Sequence, residues 1–174
     1  PITSLQVNSD GLLYIGFEST QVIEDCEDAW TSGTHGTATL DTGDYKVGSG
    51  SAKIVASGAV AGDVLAYENI TSLDLRDFTG VKKWIKVSST VAADDLRLLL
   101  DDTAAVASPI EIISLPALTA GIWTRVYVRL ATPASDTAIK SVGLRYQANP
   151  KANTIWIDDI RAESSYYYMD SGEN

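Results

Sequence analysis

The chain has 174 residues, a formal net charge of −10 and a pI near 4.4, and 45% of its residues are hydrophobic. This length fits one domain with its own core, and the acidic balance argues against a nucleic-acid partner, whose phosphates require a basic surface. No apolar run approaches the roughly 20 residues needed to cross a bilayer, and the first residues lack the features of a secretory signal, so we expect no membrane partner.

Ten short segments alternate apolar and polar residues with the period of a β-strand. In chain order they are 12–17, 37–42, 51–57, 64–70, 81–89, 95–102, 110–115, 123–130, 138–148 and 154–162. Turn-forming residues separate them, and the only candidate for helical structure is a short turn near residues 71–78. The pattern predicts an all-β fold, a sandwich of two antiparallel sheets.

Alternation within these segments also predicts which side chains enter the core, because neighbouring residues of a strand point to opposite faces. The inward set is Ile85, Val87, Val126, Val128, Leu130, Val142, Leu144 and Tyr146. Each such side chain contributes roughly 1.5–3 kcal/mol when it is buried. The residues between them are left for the outer faces of the sheets.

Five segments resemble, in order and spacing, motifs of jelly-roll carbohydrate-binding modules. They are "VIEDCEDAWTSG" (22–33), "VGSGSAKI" (47–54), "LDLRDFTGVKKWIKVSS" (73–89), "LTAGIWTRVYVRL" (118–130) and "TIWIDDIRA" (154–162). The first differs from the family pattern in placing Cys26 where an aromatic residue is usual. The resemblance implies a jelly-roll β-sandwich domain over residues 22–163, preceded by an N-terminal strand or arm (1–21) and followed by a C-terminal tail (164–174).

Modules of this kind often hold a structural calcium that ties the opening segment to the last strand. By motif, Glu27 and Asp158 correspond to the family's carboxylate ligands, Ser49 and Gly50 would add backbone oxygens, and Asp25 is a further candidate ligand. Calcium prefers about six to eight oxygen ligands, and the lack of Cys and His clusters argues against zinc. Two alternatives remain: the acidic segment is a solvated loop, and Asp158 only accepts N–H bonds from the Gly-Ser-Gly loop.

Seven outward-facing residues form a candidate surface for a ligand or a partner, and we expect them on one exposed sheet face: Trp84, Lys86, Arg97, Arg125, Tyr127, Arg129 and Arg145. Arginine and aromatic residues are enriched at protein interfaces and also suit sugars. The alternative is that these side chains only cover an exposed sheet and pair with Asp101 and Glu111. The other tryptophans, Trp30, Trp123 and Trp156, are expected to fill core or edge positions.

The sequence carries no catalytic signature, and we expect a protein that is not an enzyme. His35, the only histidine, lies in a Gly/Thr loop, and "GSGSA" (48–52) lacks the spacing of a nucleophile elbow. The acidic pairs at 94–95 and 101–102 invite comparison with glycosidases, but neighbouring residues of a strand point to opposite faces.

Three functions remain, and an enzyme in its own right is the least favoured of them. The first is a virion structural protein, such as a bacteriophage capsid decoration or tail component, located in the virion. Its partners would be other virion proteins or further copies of itself, which the additional N-terminal strand and C-terminal arm could reach. The alternative is a glycan-binding module of a secreted glycoside hydrolase, located outside the cell.

Overall fold

The computed structural model describes residues 2–7 and 13–169, with side chains described for residues 19–164. Its strands are β1 (Ile2–Val7), β2 (Leu13–Glu24), β3 (Thr31–Ser32), β4 (Gly36–Asp41), β5 (Ser51–Ala56), β6 (Val64–Leu73), β7 (Gly80–Val87), β8 (Leu96–Asp101), β9 (Glu111–Ser114), β10 (Thr124–Arg129), β11 (Ile139–Tyr146) and β12 (Asn153–Met169). The helical elements among the described residues are two short 3-10 helices, Ala104–Val106 and Pro133–Ser135. Within that part of the chain, no helix is long and apolar enough to span a membrane.

The strands form two antiparallel sheets, and β12 lies at the centre of the larger one. Along one side β12 pairs with β7, which carries β10 at its outer edge. The other side is shared, because the first half of β12 pairs with β5 and then β4, and the second half pairs with β2 and then β1. The second sheet has the order β3-β6-β11-β8-β9. The predicted all-β sandwich of two antiparallel sheets is confirmed.

Alternating side chains of the two sheets meet to form one hydrophobic core. All eight inward residues predicted from the sequence lie on this side: seven are buried, and Val128 packs partly buried against them. Trp30 also belongs to the core. Since each buried apolar side chain favours folding by roughly 1.5–3 kcal/mol, this shared layer holds the two sheets together.

The observed strands match all ten predicted segments in position, while their ends differ by up to several residues. The helical turn considered near 71–78 is wrong: residues 71–73 end β6, and the rest form a non-helical turn in which the N–H of Phe78 bonds to the carbonyl of Leu75 at 3.0 Å. Strand β3 has only two residues, which is too few for alternation to reveal it.

The predicted domain boundaries fall inside strands. Strand β2 runs across the boundary between residues 21 and 22, and it pairs with β12 as far as Tyr14 opposite Met169. Residues 164–169 therefore belong to the sheet, and their assignment to a separate tail is wrong. The remainder of that tail, 170–174, lies outside the described residues.

One inward position of β7 carries a lysine. Lys83 stands between the buried Val81 and Ile85, is itself completely buried, and has no hydrogen-bond partner for its Nζ among the described residues. Burial disfavours the charged ammonium, and it lowers the pKa of Lys83 from 10.5 to about 7. The fold therefore bears an energetic cost at this position that an apolar side chain would avoid.

We expect Lys83→Met to raise the free energy of unfolding at pH 7 by on the order of 4–5 kcal/mol, because the pKa falls from 10.5 to about 7 and each pKa unit corresponds to about 1.4 kcal/mol. The lysine pKa is lower in the folded state, so the cost is complete below about pH 7 and disappears as the pH rises toward 10.5. Urea unfolding at a series of pH values measures this. If wild type and variant differ by the same amount at pH 7 and pH 10, the assignment of a neutral buried lysine fails.

Candidate functional site

The loop between β4 and β5 folds over the outer face of the seven-stranded sheet and is held there by two carboxylates. Asp158 of β12 lies beneath the loop, and its Oδ2 accepts N–H bonds from Lys46 (2.6 Å) and Val47 (2.9 Å). Glu27, from the segment after β2, accepts the N–H of Ser49 at 3.0 and 3.1 Å and its hydroxyl at 2.5 Å. The opening segment and the last strand therefore meet at this loop.

The two adjacent aspartates of β12 have different roles because the strand is irregular between them and Arg161. The pairing of β12 with β7 shifts register there, and Asp159 has a φ of +51°. Asp158 holds the loop, while Asp159 accepts a 2.5 Å hydrogen bond from the Arg161 guanidinium. This irregularity explains why consecutive acidic residues occur within an otherwise apolar strand.

The structure brings together four of the five predicted metal ligands: Glu27, Ser49, Gly50 and Asp158. The fifth, Asp25, accepts the N–H of Glu27 at 3.2 Å and lines a separate cleft with Glu24 and Asp28. Within the residues that the structure describes, no group of three or more His, Cys, Asp and Glu side chains is arranged to hold a metal ion.

One observation at this loop fits a cation. Asp158 Oδ1 is buried and has no hydrogen-bond partner among the described residues. Burial raises the pKa of Asp158, and the neighbouring charges of Asp159 and Glu27 add to this effect. A cation beside Oδ1 would stabilise the charged carboxylate against both its burial and the repulsion from neighbouring carboxylates. The N–H bonds to Oδ2 and to Glu27 hold the loop by themselves, so calcium at this position stays a prediction.

A network of indole rings and charges covers one end of the same sheet face. Lys86 Nζ lies 4.1 Å from the centroid of the Trp156 ring and 5.5 Å from that of Trp123. The indole N–H groups donate to Asp41 (2.9 Å from Trp156) and Asp44 (2.7 Å from Trp123), and Asp44 also forms an ion pair with Lys86. Both rings are half-buried on the outer face, and neither is part of the core.

Trp84 lies next to this network and has two cations close to its ring. The Nζ of Lys46 is 5.4 Å from its ring centroid, and the guanidinium carbon of Arg125, its cross-strand neighbour, is 5.9 Å away. These distances allow cation–π attraction. Neither cation has a carboxylate partner among the described residues, and the same holds for Arg129, which is exposed further along β10.

Tyr127 of β10 supplies an exposed aromatic ring on this face. The residue is 46% exposed, and its hydroxyl lies 3.2 Å from Thr79 Oγ1. The ring lies against Gly80, since a Cβ placed on that glycine would come within 2.5 Å of Tyr127 Cζ. The missing side chain thus provides the space in which the ring lies against the sheet. We call Trp84, Tyr127 and the sheet surface around them the aromatic strip.

Five of the seven residues predicted for a ligand surface lie on this face: Trp84, Lys86, Arg125, Tyr127 and Arg129. The expectation that all seven share one face is wrong, because Arg97 and Arg145 belong to the second sheet, where they face each other on β8 and β11. There Arg97 pairs with Asp94 at 2.9 Å, and Arg145 donates to Gln147 at 2.9 Å.

The outer face of the second sheet is partly covered by its own chain. Val106, from the 3-10 helix after β8, lies so close to Gly143 that a Cβ there would meet it at 2.9 Å. Leu99, opposite Gly143, is completely buried beneath this cover. Part of the second sheet's outer face is therefore inaccessible, whereas β10 of the larger sheet keeps Arg125, Tyr127 and Arg129 exposed.

The acidic partners expected for the arginines bind backbone amides instead. Asp101 accepts the N–H groups of Thr103 (3.0 Å) and Ser108 (2.7 Å). Glu111 accepts those of Ala131 (3.0 Å) and Thr132 (2.5 Å). Both carboxylates thus hold loops, and the predicted ion pairs with arginine do not form.

Two tryptophans of the face were expected in the core or at an edge. Trp156 stands between the inward Ile155 and Ile157, so the alternation of β12 already contained the signal that places it outward. Trp123 begins the predicted segment 123–130, whose alternation places it on the same side as Arg125, but only the tertiary structure brings it beside Lys86.

No protein-family model matches the chain, and no curated protein matches it in sequence. Among solved structures, a mutant family 29 carbohydrate-binding module complexed with mannohexaose is similar at a TM-score of 0.53 and 13% identity, covering 85% of this chain and 93% of that one. A family 11 module from Clostridium thermocellum, complexed with a β-1,3-1,4-mixed-linked tetrasaccharide, is similar at 0.51 and 11% identity, covering 91% and 93%. The resemblance in the sequence is thus confirmed for the fold.

We expect Gly48→Ala to lower the free energy of unfolding by about 2–3 kcal/mol. Gly48 has a φ of +70°, and a Cβ there would lie 1.7 Å from Glu27 Oε1, so the carboxylate must leave Ser49. The matched control is Gly121→Ala, which has a φ of +75° but nothing within 4 Å, and which should cost only about 1 kcal/mol. Equal losses for the two variants in urea unfolding would contradict the role of Glu27.

For the calcium prediction, we expect millimolar calcium to raise the midpoint of thermal unfolding by several degrees and a chelator to reverse the shift. Asp158→Asn should abolish the response, since it removes the negative charge beside the loop. Asp102→Asn, an exposed acid after β8, serves as the control and should respond like wild type. A wild-type midpoint that calcium leaves unchanged excludes the ion.

Proposed function

We propose that this chain is a non-catalytic glycan-binding module and that it binds a polysaccharide on the outer face of the seven-stranded sheet. The observation that carries the proposal is the aromatic strip, in which Tyr127 lies against Gly80 beside the half-buried Trp84. The C–H faces of pyranose rings stack on aromatic side chains, while polar groups around the rings bind the hydroxyls. A flat sheet face suits an extended polymer better than a small enclosed ligand.

The register of β7 and β10 gives the strip its spacing. Trp84 is opposite Arg125, and Tyr127 is opposite Lys82, so the two aromatic residues are offset by two positions along the strands. At about 3.3 Å per residue their backbones are roughly 7 Å apart along the strands, and the Tyr127 ring extends further, over Gly80, four residues from Trp84 on β7. Neighbouring units of one extended glycan can bridge such a distance. Arg125 is the cross-strand neighbour of Trp84 and is two residues from Tyr127, so it can contact the same glycan chain.

The acidic pairs at 94–95 and 101–102, which invited comparison with glycosidases, form contacts that hold loops and an arginine in place. Asp95 accepts the N–H of Ala92 at 2.9 Å and a bond from the Asn149 amide at 2.8 Å, while Asp94 pairs with Arg97. Asp101 holds the loop that follows β8. These contacts favour binding over catalysis, as does the fold likeness to carbohydrate-binding modules.

The virion structural role stays a prediction from the sequence. The solved structures reported above are carbohydrate-binding modules, and they favour the glycan-binding alternative. Two further points also stay predictions. One is the location, in a virion or outside the cell, and the other is association with virion proteins or with further copies of the chain.

We expect Tyr127→Ala to weaken binding to the recognised polysaccharide at least tenfold, because the exposed ring is lost while its strand stays in place. Affinity electrophoresis against a panel of glucans, mannans, xylans and polyuronates identifies the polymer and measures the change. Gly80→Ala should also weaken binding, since the new Cβ would displace the ring without removing it.

The matched control is Tyr67→Ala, which removes an aromatic ring from β6 of the second sheet. It should bind like wild type, and circular dichroism confirms that each variant is folded. The proposal fails if no polysaccharide of the panel is bound, or if binding survives Tyr127→Ala and Gly80→Ala unchanged.

A further inference from the structure

We propose that the glycan is acidic: a polysaccharide containing uronic acid, whose carboxylates bind the cations beside Trp84 and Tyr127. This inference rests on the proposed function, since it names the ligand class of the same face. It is carried by the distribution of charge over that face and by the cations there that have no carboxylate partner among the residues whose side chains the structure describes.

Positive charge is concentrated on the outer face of the larger sheet, although the chain as a whole has a net charge of −10. Seven of its thirteen lysines and arginines lie on this face or over it: Lys46, Lys53, Lys82, Lys86, Arg125, Arg129 and Arg161. An acidic protein that gathers its cations on one accessible face creates a local field suited to an anionic ligand.

Four of these seven cations are neutralised within the protein. Their carboxylate partners are Asp41 for Lys53 (3.3 Å), Glu163 for Lys82 (2.5 Å), Asp44 for Lys86, and Asp159 for Arg161 (2.5 Å). These ion pairs account for the cations around Trp156 and along the centre of the sheet. They leave little charge there for a ligand to neutralise.

The three remaining cations surround the aromatic strip. Lys46 and Arg125 lie 5.4 and 5.9 Å from the centroid of the Trp84 ring, and Arg129 is opposite Gly80, against which the Tyr127 ring lies. Among the described residues none of the three has a carboxylate partner. The cations without a partner are therefore the ones beside the rings that would contact sugar.

A uronic acid matches this arrangement chemically. When a pyranose stacks on an aromatic ring by its face, its carboxylate lies at the rim, where Arg125 and Arg129 are placed. The planar guanidinium binds a carboxylate through two parallel N–H bonds, and charged hydrogen bonds of this kind are stronger than those to neutral hydroxyls. A neutral glycan would leave these charges without compensation.

Carboxylates interspersed on the same face favour a uronate polymer over more densely charged polyanions. Asp41, Asp44 and Glu163 lie among the cations, and they would repel closely spaced sulfates or phosphates. A nucleic acid or a heavily sulfated glycan is therefore a poorer match.

The test compares polygalacturonate and alginate, each beside its methyl-esterified form, which keeps the sugar backbone but removes the charge. We expect at least tenfold weaker binding of the esterified polymers and a several-fold loss of affinity when NaCl is raised toward 0.5 M. Arg125→Gln and Arg129→Gln should each weaken binding of the acidic polymer several-fold. The control is Lys140→Gln, an exposed charge on β11 of the second sheet, which should have no effect.

The outcomes separate this inference from the proposed function. Binding of a neutral glucan or mannan that depends on Tyr127 but not on Arg125 or Arg129 overturns the acidic ligand and leaves the glycan-binding face intact. Dextran sulfate or single-stranded DNA bound as tightly as the polyuronates overturns the assignment to uronic acid. Failure of every polysaccharide to bind in a Tyr127-dependent manner overturns both proposals.

Discussion

The accessible face of this protein depends on one buried carboxylate, that of Asp158 beneath the loop between β4 and β5. Its Oδ2 accepts two backbone N–H groups, from Lys46 and Val47, and so fixes the loop over the sheet. The same contact places the Lys46 ammonium over the Trp84 ring. Charged acceptors form strong hydrogen bonds to backbone amides, and these two bonds offset part of the cost of burying the carboxylate, whose pKa burial still raises. Glu27 secures the other end of the loop through Ser49.

Two glycines shape this face because their missing side chains leave space for other groups. At Gly48 the missing side chain lets the Glu27 carboxylate approach the backbone, and at Gly80 it makes room for the ring of Tyr127. The positive φ of Gly48 gives a second reason for glycine at that position. A rigid, closely packed backbone thus supports both the loop and the aromatic strip. Such support limits the conformational entropy that ordering a binding surface would otherwise cost.

Much of the fold could be predicted because strand formation and burial leave a local trace in the sequence. The alternation that places Val142 and Leu144 inward is a direct consequence of pleated backbone geometry. The pairing of strands leaves no local pattern in the sequence. For this reason Arg97 and Arg145 were expected beside Trp84, although they belong to the other sheet. The extension of β12 to Met169 was missed for a similar reason, since its pairing with β2 connects distant parts of the chain.

The sequence by itself determined the all-β sandwich, its inward residues and the meeting of Glu27 with the loop above Asp158, through alternation and through motifs shared with carbohydrate-binding modules. Only the tertiary structure decided which cations are neutralised and which outward-facing tryptophans lie together around Lys86. The physical reason is the distance along the chain over which each effect acts. Alternation is set by neighbouring residues, whereas ion pairs and ring contacts join residues that are far apart in the sequence. The candidate site is made of contacts of the second kind.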